Sequence, residues 1–475
     1  MTINTLKKMH DPKTRVEHAI EAAHAVQPAL NAMVSFVDPQ PQLDALTQLD
    51  PNAPFYGIPV ALKDLVNMKD TRTTGSSMIL DNYVSPYDAT ITRKLREAGA
   101  IIIGKASCDT FGMGGTNKTA ATGPVHNPYD LSRMSGGSSG GSAALVAAGV
   151  VPMAIGTDTG DSIRKPAAFT GIVGLKPTYG RISRYGVIPY ASSLDHVGCF
   201  THNVFDAALT LKVLAGRDDR DMTSSTLPVE DYPALLKGDL KGKRIGVLAN
   251  VIDAISNPTV KAQFDDLCTK LTQQGAIISR ISLNTDLMKA LLPTYYIIAN
   301  AEATANHANL DSLRFGVQIQ GVDNEETMRK SRTAGFGPLL RKRFVIGSYA
   351  LFVENQEKLF RKAQKVRRLV VEDLKSALKD IDVVMAPASG NVAPLLDGGP
   401  KTDELSGEYL IAENYMVLGN FSGYPSITIP MGFENGLPLG VNLTAKAFDE
   451  ANLLDIAYGL ETVTGLKNLI AKVNA

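Results

Sequence analysis

The stretch Gly156-Thr157-Asp158-Thr159-Gly160-Asp161-Ser162-Ile163-Arg164-Lys165-Pro166 sets a serine hydroxyl in a glycine-rich turn directly after the apolar run Val151 to Ile155. That run reads as a buried strand, which puts the turn at its carboxyl end, where open α/β sheets gather ligands. Small residues around Ser162 let the backbone bend tightly and aim successive N–H groups at one point, as an anionic tetrahedral intermediate requires. Taken alone, the stretch fits an ordinary surface loop equally well. Two further stretches bear on the choice. Gly136-Gly137-Ser138-Ser139-Gly140-Gly141-Ser142-Ala143 leads straight into the helix-forming run Ala144 to Ala148, which suits a serine-rich helix start better than a flexible linker. Gly57-Ile58-Pro59-Val60-Ala61-Leu62-Lys63-Asp64 ends a second apolar run on a lysine, a position that by itself reads as a solvated charge.

Together, Lys63, Ser138 and Ser162 resemble the Lys, Ser and Ser of the amidase signature family. The resemblance continues through Gly171-Ile172-Val173-Gly174-Leu175-Lys176-Pro177-Thr178, Tyr185-Gly186-Val187-Ile188-Pro189 and Ser192-Ser193-Leu194-Asp195. Arg341-Lys342-Arg343-Phe344-Val345-Ile346-Gly347, Gln364-Lys365-Val366-Arg367 and Asn435-Gly436-Leu437-Pro438-Leu439-Gly440 look most like one branch, the A subunits of aspartyl/glutamyl-tRNA amidotransferases. The likeness covers the chain from Thr14 to Gly465. It implies an α/β fold with a large central mixed β-sheet covered by helices on both faces, and release of ammonia from glutamine as the activity.

The resemblance also implies roles. Ser162 attacks the carboxamide, Ser138 passes the proton, and Lys63, starting neutral, is the ultimate base. A lysine of ordinary pKa, about 10.4, costs roughly 4 to 5 kcal/mol to deprotonate at pH 7. Burial lowers such a pKa by up to about 3 to 5 units, so Lys63 has to be buried. The backbone N–H groups of Thr159, Gly160, Asp161 and Ser162 are the candidates for an oxyanion hole. Ser139, Ser142 and Asp158 are expected to hold the loops, and His126 and His196 to be structural or peripheral.

Two positions depart from the family pattern. Asp161 stands where a glycine is usual; its carboxylate is expected to point outward, paired with Lys165 or Arg164. For glutamine recognition the resemblance assigns the substrate α-carboxylate to Arg343, whose fork suits bidentate binding. It assigns the α-ammonium to Glu413, at a position where an aspartate is expected.

The 475 residues, 44% hydrophobic, suffice for a large core. Acidic and basic residues balance at 48 each, Trp is absent and aromatics make up 6%, which argues against a nucleic-acid surface. Cys108, Cys199 and Cys268 have no metal-ligand spacing and form no even disulfide set, as in a reducing cytosol. No apolar leader or membrane-length run is present, so a cytoplasmic location is expected. The resemblance makes glutamine the expected substrate. The implied partners are the B and C subunits, tRNA being held mainly by the partner, which also uses ATP and Mg. No cofactor or metal is expected in this chain, which has no Walker-type loop. A stand-alone amidase for another small or acyl amide, and a catalytically silent scaffold, are the other readings.

The chain is expected to form one domain, 1–475. Its parts are an amino-terminal helical layer (1–55), a catalytic core (56–215), an inserted helical region (286–374), and carboxyl-terminal strands with a helix (381–475). Thr14 to Ser35 predicts two short helices broken at Pro28 and a strand near Met33 to Val37; Gln40 to Pro54 predicts a loop. A helix is expected over Ala89 to Ala98, with strands over Ala100 to Lys105, Arg244 to Leu248, Ile381 to Met385 and Ser426 to Ile429.

Overall fold

Runs of Val, Ile and Ala build the strands, and their alternation shows which face each side chain serves. The structure, a computed structural model, describes residues 2–398 and 407–473. The remaining parts of the expected 1–475 span lie outside the described residues.

In chain order the strands are β1 (Met33–Phe36), β2 (Ile58–Lys63), β3 (Ala100–Ala106), β4 (His126–Asn127), β5 (Asp130–Met134), β6 (Met153–Asp158), β7 (Val173–Lys176), β8 (His196–Thr201), β9 (Arg244–Leu248), β10 (Ile277–Ile281), β11 (Val383–Pro387), β12 (Ser426–Glu434) and β13 (Leu437–Ala445). Eleven of them form one mixed sheet, ordered β1-β3-β2-β6-β8-β7-β12-β13-β11-β9-β10; β4 and β5 pair separately. The strands after residue 240 therefore return to the sheet begun by β1. Both faces are covered. Val60, Leu62, Ile102, Met153 and Ile155 enter one core; Ala61, Ile101, Ile103 and Ala154 enter the other, with the Pro12–Leu30 and Gly140–Ala147 helices.

The strands expected near Met33, Ala100 and Arg244 form there, and the Ala89 to Ala98 helix spans Thr90–Glu97. The strand expected at Val151 to Ile155 starts later, at Met153, and runs to Asp158, so it carries Thr157 to its end. One helix, Pro12–Leu30, replaces the two expected around Pro28. Pro28 falls in its last turn, and the Gln27 side chain ties that turn to β1, bonding Met33 N at 2.9 Å and Met33 O at 3.0 Å. The expected loop from Gln40 to Pro54 contains a helix, Gln40–Ala45. There the Gln42 amide pairs with both backbone groups of Ile102 on β3, a tertiary bond that propensity does not encode.

Candidate active site

β2 and β6 run parallel and side by side, Leu62 opposite Ile155, so Lys63, the last residue of β2, and Thr157, the last but one of β6, lie at the carboxyl ends of adjacent strands. The Lys63 amine is fully buried. Its Nζ lies 2.7 Å from Ser138 Oγ, 2.8 Å from Ser139 Oγ and 2.8 Å from Thr157 Oγ1. Burial lowers its pKa to about 8, with Cys108 and the carboxylates of Asp109, Asp158 and Asp195 opposing.

The serine loop reaches this amine through an unusual path. The Gly137–Ser138 peptide is cis, and a Cβ on Gly137 would fall 2.1 Å from Asp109 Oδ2. Ser139 stands at the N-cap of the Gly140–Ala147 helix, yet its side chain makes no cap bond. It joins Lys63 and Thr157 O instead, while Gly140 N is satisfied by Asn117 Oδ1 and Gly141 N by Ser107 O. Ser142 Oγ bonds Ile155 O, holding the helix to β6.

The turn after β6 is shaped by a buried ion pair. Asp158 accepts from Arg164 Nη2 at 2.9 Å, Arg164 Nε at 3.1 Å and Ile163 N at 3.0 Å. Asn420 adds a bond to Asp158 Oδ1 at 2.9 Å, and Arg164 reaches on to Gly160 O and Met416 O. Burial alone would raise the Asp158 carboxyl; Arg164, Lys176 and Asn420 together hold it well below the carboxylate range. With the turn so pinned, the N–H groups of Thr159, Gly160, Asp161 and Ser162 have no hydrogen-bond partner among the described residues, which leaves four donors in succession available to an anion. Thr159 is anchored through its side chain, Oγ1 to Asp195 Oδ1 at 2.7 Å. Ser162 is 4% exposed, and its hydroxyl makes no hydrogen bond among the described residues. No hydrogen bond joins Ser138 Oγ to Ser162 Oγ. A cavity of about 310 Å³ opens beside the turn, lined by Thr157, Thr159, Tyr190 and Asp195, and does not include the two serines.

The amidase family model matches residues 15–454. The chain belongs to the amidase family. It is 42% identical to the A subunit of the glutamyl-tRNA(Gln) amidotransferase of Roseiflexus castenholzii, over 96% of this chain and 89% of that one. The crystal structure of the corresponding glutamyl-tRNA(Gln) amidotransferase A subunit from Thermotoga maritima superposes with a TM-score of 0.84 at 33% identity, over 100% and 98% of the two chains. The peptide amidase of Stenotrophomonas maltophilia gives 0.83 at 27% identity, over 99% and 97%.

In this amidase the remaining expected residues fare differently. Arg343 is not a solvated helix charge: it is half-buried, with Nη1 donating to Tyr190 Oη at 2.6 Å and the guanidinium 5.3 Å from the Tyr296 ring centre. Tyr295 packs against Gly160, joining Arg343's surroundings to the turn. Glu413 is engaged within the protein. Lys165 Nζ donates to its Oε2 at 2.8 Å, Gly390 N to its Oε1 at 2.8 Å, and Ser389 Oγ lies 3.2 Å from both oxygens. The expected pairing of Asp161 with Lys165 or Arg164 does not form, because Lys165 is taken by Glu413 and Arg164 by Asp158. His196 is buried against Leu194 O and Tyr179, and His126 bonds Leu131 O; neither touches Lys63, Ser138 or Ser162. Cys199 is buried, and Cys268 is half-buried.

Sequence reasoning missed Thr157, Arg164 and Asn420. Thr157 is legible as the β6 residue preceding Asp158; the Arg164–Asn420 bond spans 256 positions and has no local signature. Among the described residues no cluster of His, Cys, Asp and Glu is placed to hold a metal, and no helix is long and apolar enough to cross a membrane.

Proposed function

We propose that this amidase is the cytoplasmic glutamine-hydrolysing component of a tRNA-dependent amidotransferase, acting as a single structural unit from residue 1 to 475. Its ammonia converts Glu-tRNA(Gln), Asp-tRNA(Asn) or both to the amidated aminoacyl-tRNA. Partner B and C subunits hold the tRNA and supply the ATP- and Mg-dependent activation. The observation that carries the reading is the dry Lys63 amine 2.7 Å from Ser138 Oγ at the foot of the Ser162 turn. With a pKa of about 8, neutral Lys63 at pH 7 costs only about 1.4 kcal/mol, one unit's worth, against roughly 4 to 5 for an ordinary lysine.

The steps follow from these positions. Ser162 Oγ attacks the carboxamide carbon as its proton passes to Ser138 Oγ and that of Ser138 to Lys63 Nζ. The Ser138 to Ser162 contact has to close when substrate binds, as hydrogen bonds loose in a free enzyme do. The oxyanion falls to the free N–H groups of Thr159, Gly160, Asp161 and Ser162, each such donor contributing about 3 to 4 kcal/mol. The Lys63 proton returns to the leaving nitrogen, ammonia departs, and water, deprotonated along the same relay, releases glutamate from Ser162. Arg343 supports the choice of a substrate carrying a carboxylate: Nη1 is used by Tyr190, while Nε and Nη2 have no partner among the described residues and are not sealed from solvent.

The test is glutamate release from glutamine by the chain alone and with its copurified partners and charged tRNA. A strong rise on adding both supports the reading. One observation favours a second reading, a stand-alone amidase: Glu413, which would bind an α-ammonium, is already neutralised by Lys165. Partner-free turnover of aliphatic or aryl amides faster than of glutamine would favour that reading.

A further inference from the structure

Asp161 lies in the Ser162 turn, and of it and the two side chains assigned to substrate charges, Arg343 and Glu413, only the latter two are paired or stacked within the protein. Glu413 is saturated by Lys165, Ser389 and Gly390 N. Arg343 keeps two of its nitrogens free among the described residues. Asp161 is part-exposed, makes no ion pair and no side-chain hydrogen bond among the described residues, and neither of its oxygens is sealed from solvent.

An unpaired, part-buried carboxylate beside a nucleophile is costly unless a cation arrives. Glutamine brings one: its α-carbon, bearing both charges, lies only two methylenes from the carboxamide carbon. Groups that grip those charges therefore have to stand within a side chain's length of Ser162. Burial pushes the half-buried Tyr295 phenol well up, with Tyr190 and Asp161 adding and Arg343 opposing. Tyr295 packs on Gly160, beside Asp161, and its ring lies 5.7 Å from that of Tyr296, against which the Arg343 guanidinium sits at 5.3 Å, so two adjacent tyrosines link the free cation to the turn that carries the free anion.

We propose that Asp161, and not Glu413, receives the α-ammonium of the amino-acid substrate while Arg343 takes its α-carboxylate. The proposal rests on the glutaminase reading. A carboxylate stands at position 161 in place of the usual glycine, and the acid at position 413 is tied to Lys165, so the negative charge open to substrate lies at 161. Burial, with Asp158 and Glu413 against Lys165 and Arg164, raises the Asp161 carboxyl to about 6, as suits a carboxylate awaiting its counter-ion.

The experiment measures calorimetric Kd values on the full chain carrying Ser162→Ala, with two ligands: glutamine, and glutaramate, which keeps the carboxamide and carboxylate but lacks the amine. Adding Asp161→Asn is expected to weaken glutamine about tenfold or more relative to glutaramate, with Asp161→Glu restoring part of that discrimination. Adding Glu413→Gln is expected to shift both ligands alike. Selective loss of glutamine in Glu413→Gln with no selectivity change in Asp161→Asn overturns the proposal and leaves the glutaminase reading standing. Failure of the Ser162→Ala protein to bind glutamine at all overturns both.

Discussion

Two lysines occupy neighbouring strands of the sheet, and burial treats them alike. Lys63 ends β2 and Lys105 lies on β3, paired with Leu62 in the β2–β3 ladder. Both are wholly buried, and burial brings each to about 8, opposed for Lys63 by Cys108 and nearby carboxylates and for Lys105 by Asp64. Their partners differ. Lys63 meets three hydroxyls, from Ser138, Ser139 and Thr157. Lys105 meets the Val66 carbonyl and Thr73 Oγ1, with the buried Asp64 carboxyl beside it. A hydroxyl donates as well as accepts, so the neutral Lys63 amine can give two hydrogen bonds and receive one through its lone pair. Lys105 has a carbonyl, which only accepts, and a single hydroxyl, that of Thr73, and neither Ser138 nor Ser162 is among its partners. A depressed pKa therefore does not by itself make a base; the hydroxyl it meets has to be one that can pass on the nucleophile's proton, as Ser138 can and Thr73 cannot.

Substitution is the sharpest way to break the comparison. Lys63→Met is expected to lower kcat for amide hydrolysis about a thousandfold, within the range lost with a general base. Lys105→Met is expected to stay within about threefold, because it touches no reacting atom. Comparable losses in both would show that burial, not partnership, is what matters. The pH profile comes next in size. The base must be neutral, so kcat/KM should rise about tenfold per unit up to pH about 8 and level off above it, in wild type and in Lys105→Met alike. A profile flat between pH values well below and above 8 would remove Lys63 from the proton path.

Stability should invert the order. Lys105→Met leaves Val66 O without its donor and is expected to cost about 1 to 3 kcal/mol in urea unfolding. Lys63→Met should cost less, since Ser139 retains its bond to Thr157 O. The smallest effect separates the hydroxyls: Thr157→Val is expected to reduce kcat about tenfold, roughly 1.4 kcal/mol, whereas Thr73→Val leaves kcat unchanged and shows only in the melting temperature.

The chemistry is more legible in the chain than the scaffold around it. Lys63, Ser138 and Ser162 sit in contiguous runs that together carry the resemblance to the amidase signature family, although each run alone fits a loop, a linker or a solvated charge, and the structure gathers Lys63 and Ser138 into contact. The Pro12–Leu30 helix defeats local reading because Pro28 is a local breaker, while the Gln27 bonds to Met33 that hold the helix end to β1 are tertiary. Strand β8 does not stand out as a separate element, since His196–Thr201 is buried on both faces and lacks alternation. The unpaired state of Asp161 and the pairing of Glu413 depend on competition among Arg164, Lys165, Asp158 and Asn420, residues brought together from positions as far as 262 apart. No pattern along the chain ranks such competitors; only their packing does.

The most direct measurement of the central claim is the rate at which a serine-directed fluorophosphonate labels Ser162 as a function of pH, which needs neither partner subunits nor the natural substrate. The labelling rate is expected to climb through an apparent pKa near 8 in wild type and to be lost in Lys63→Met, while Lys105→Met follows wild type. Labelling of Ser162 in Lys63→Met at the wild-type rate, in folded protein, would contradict it.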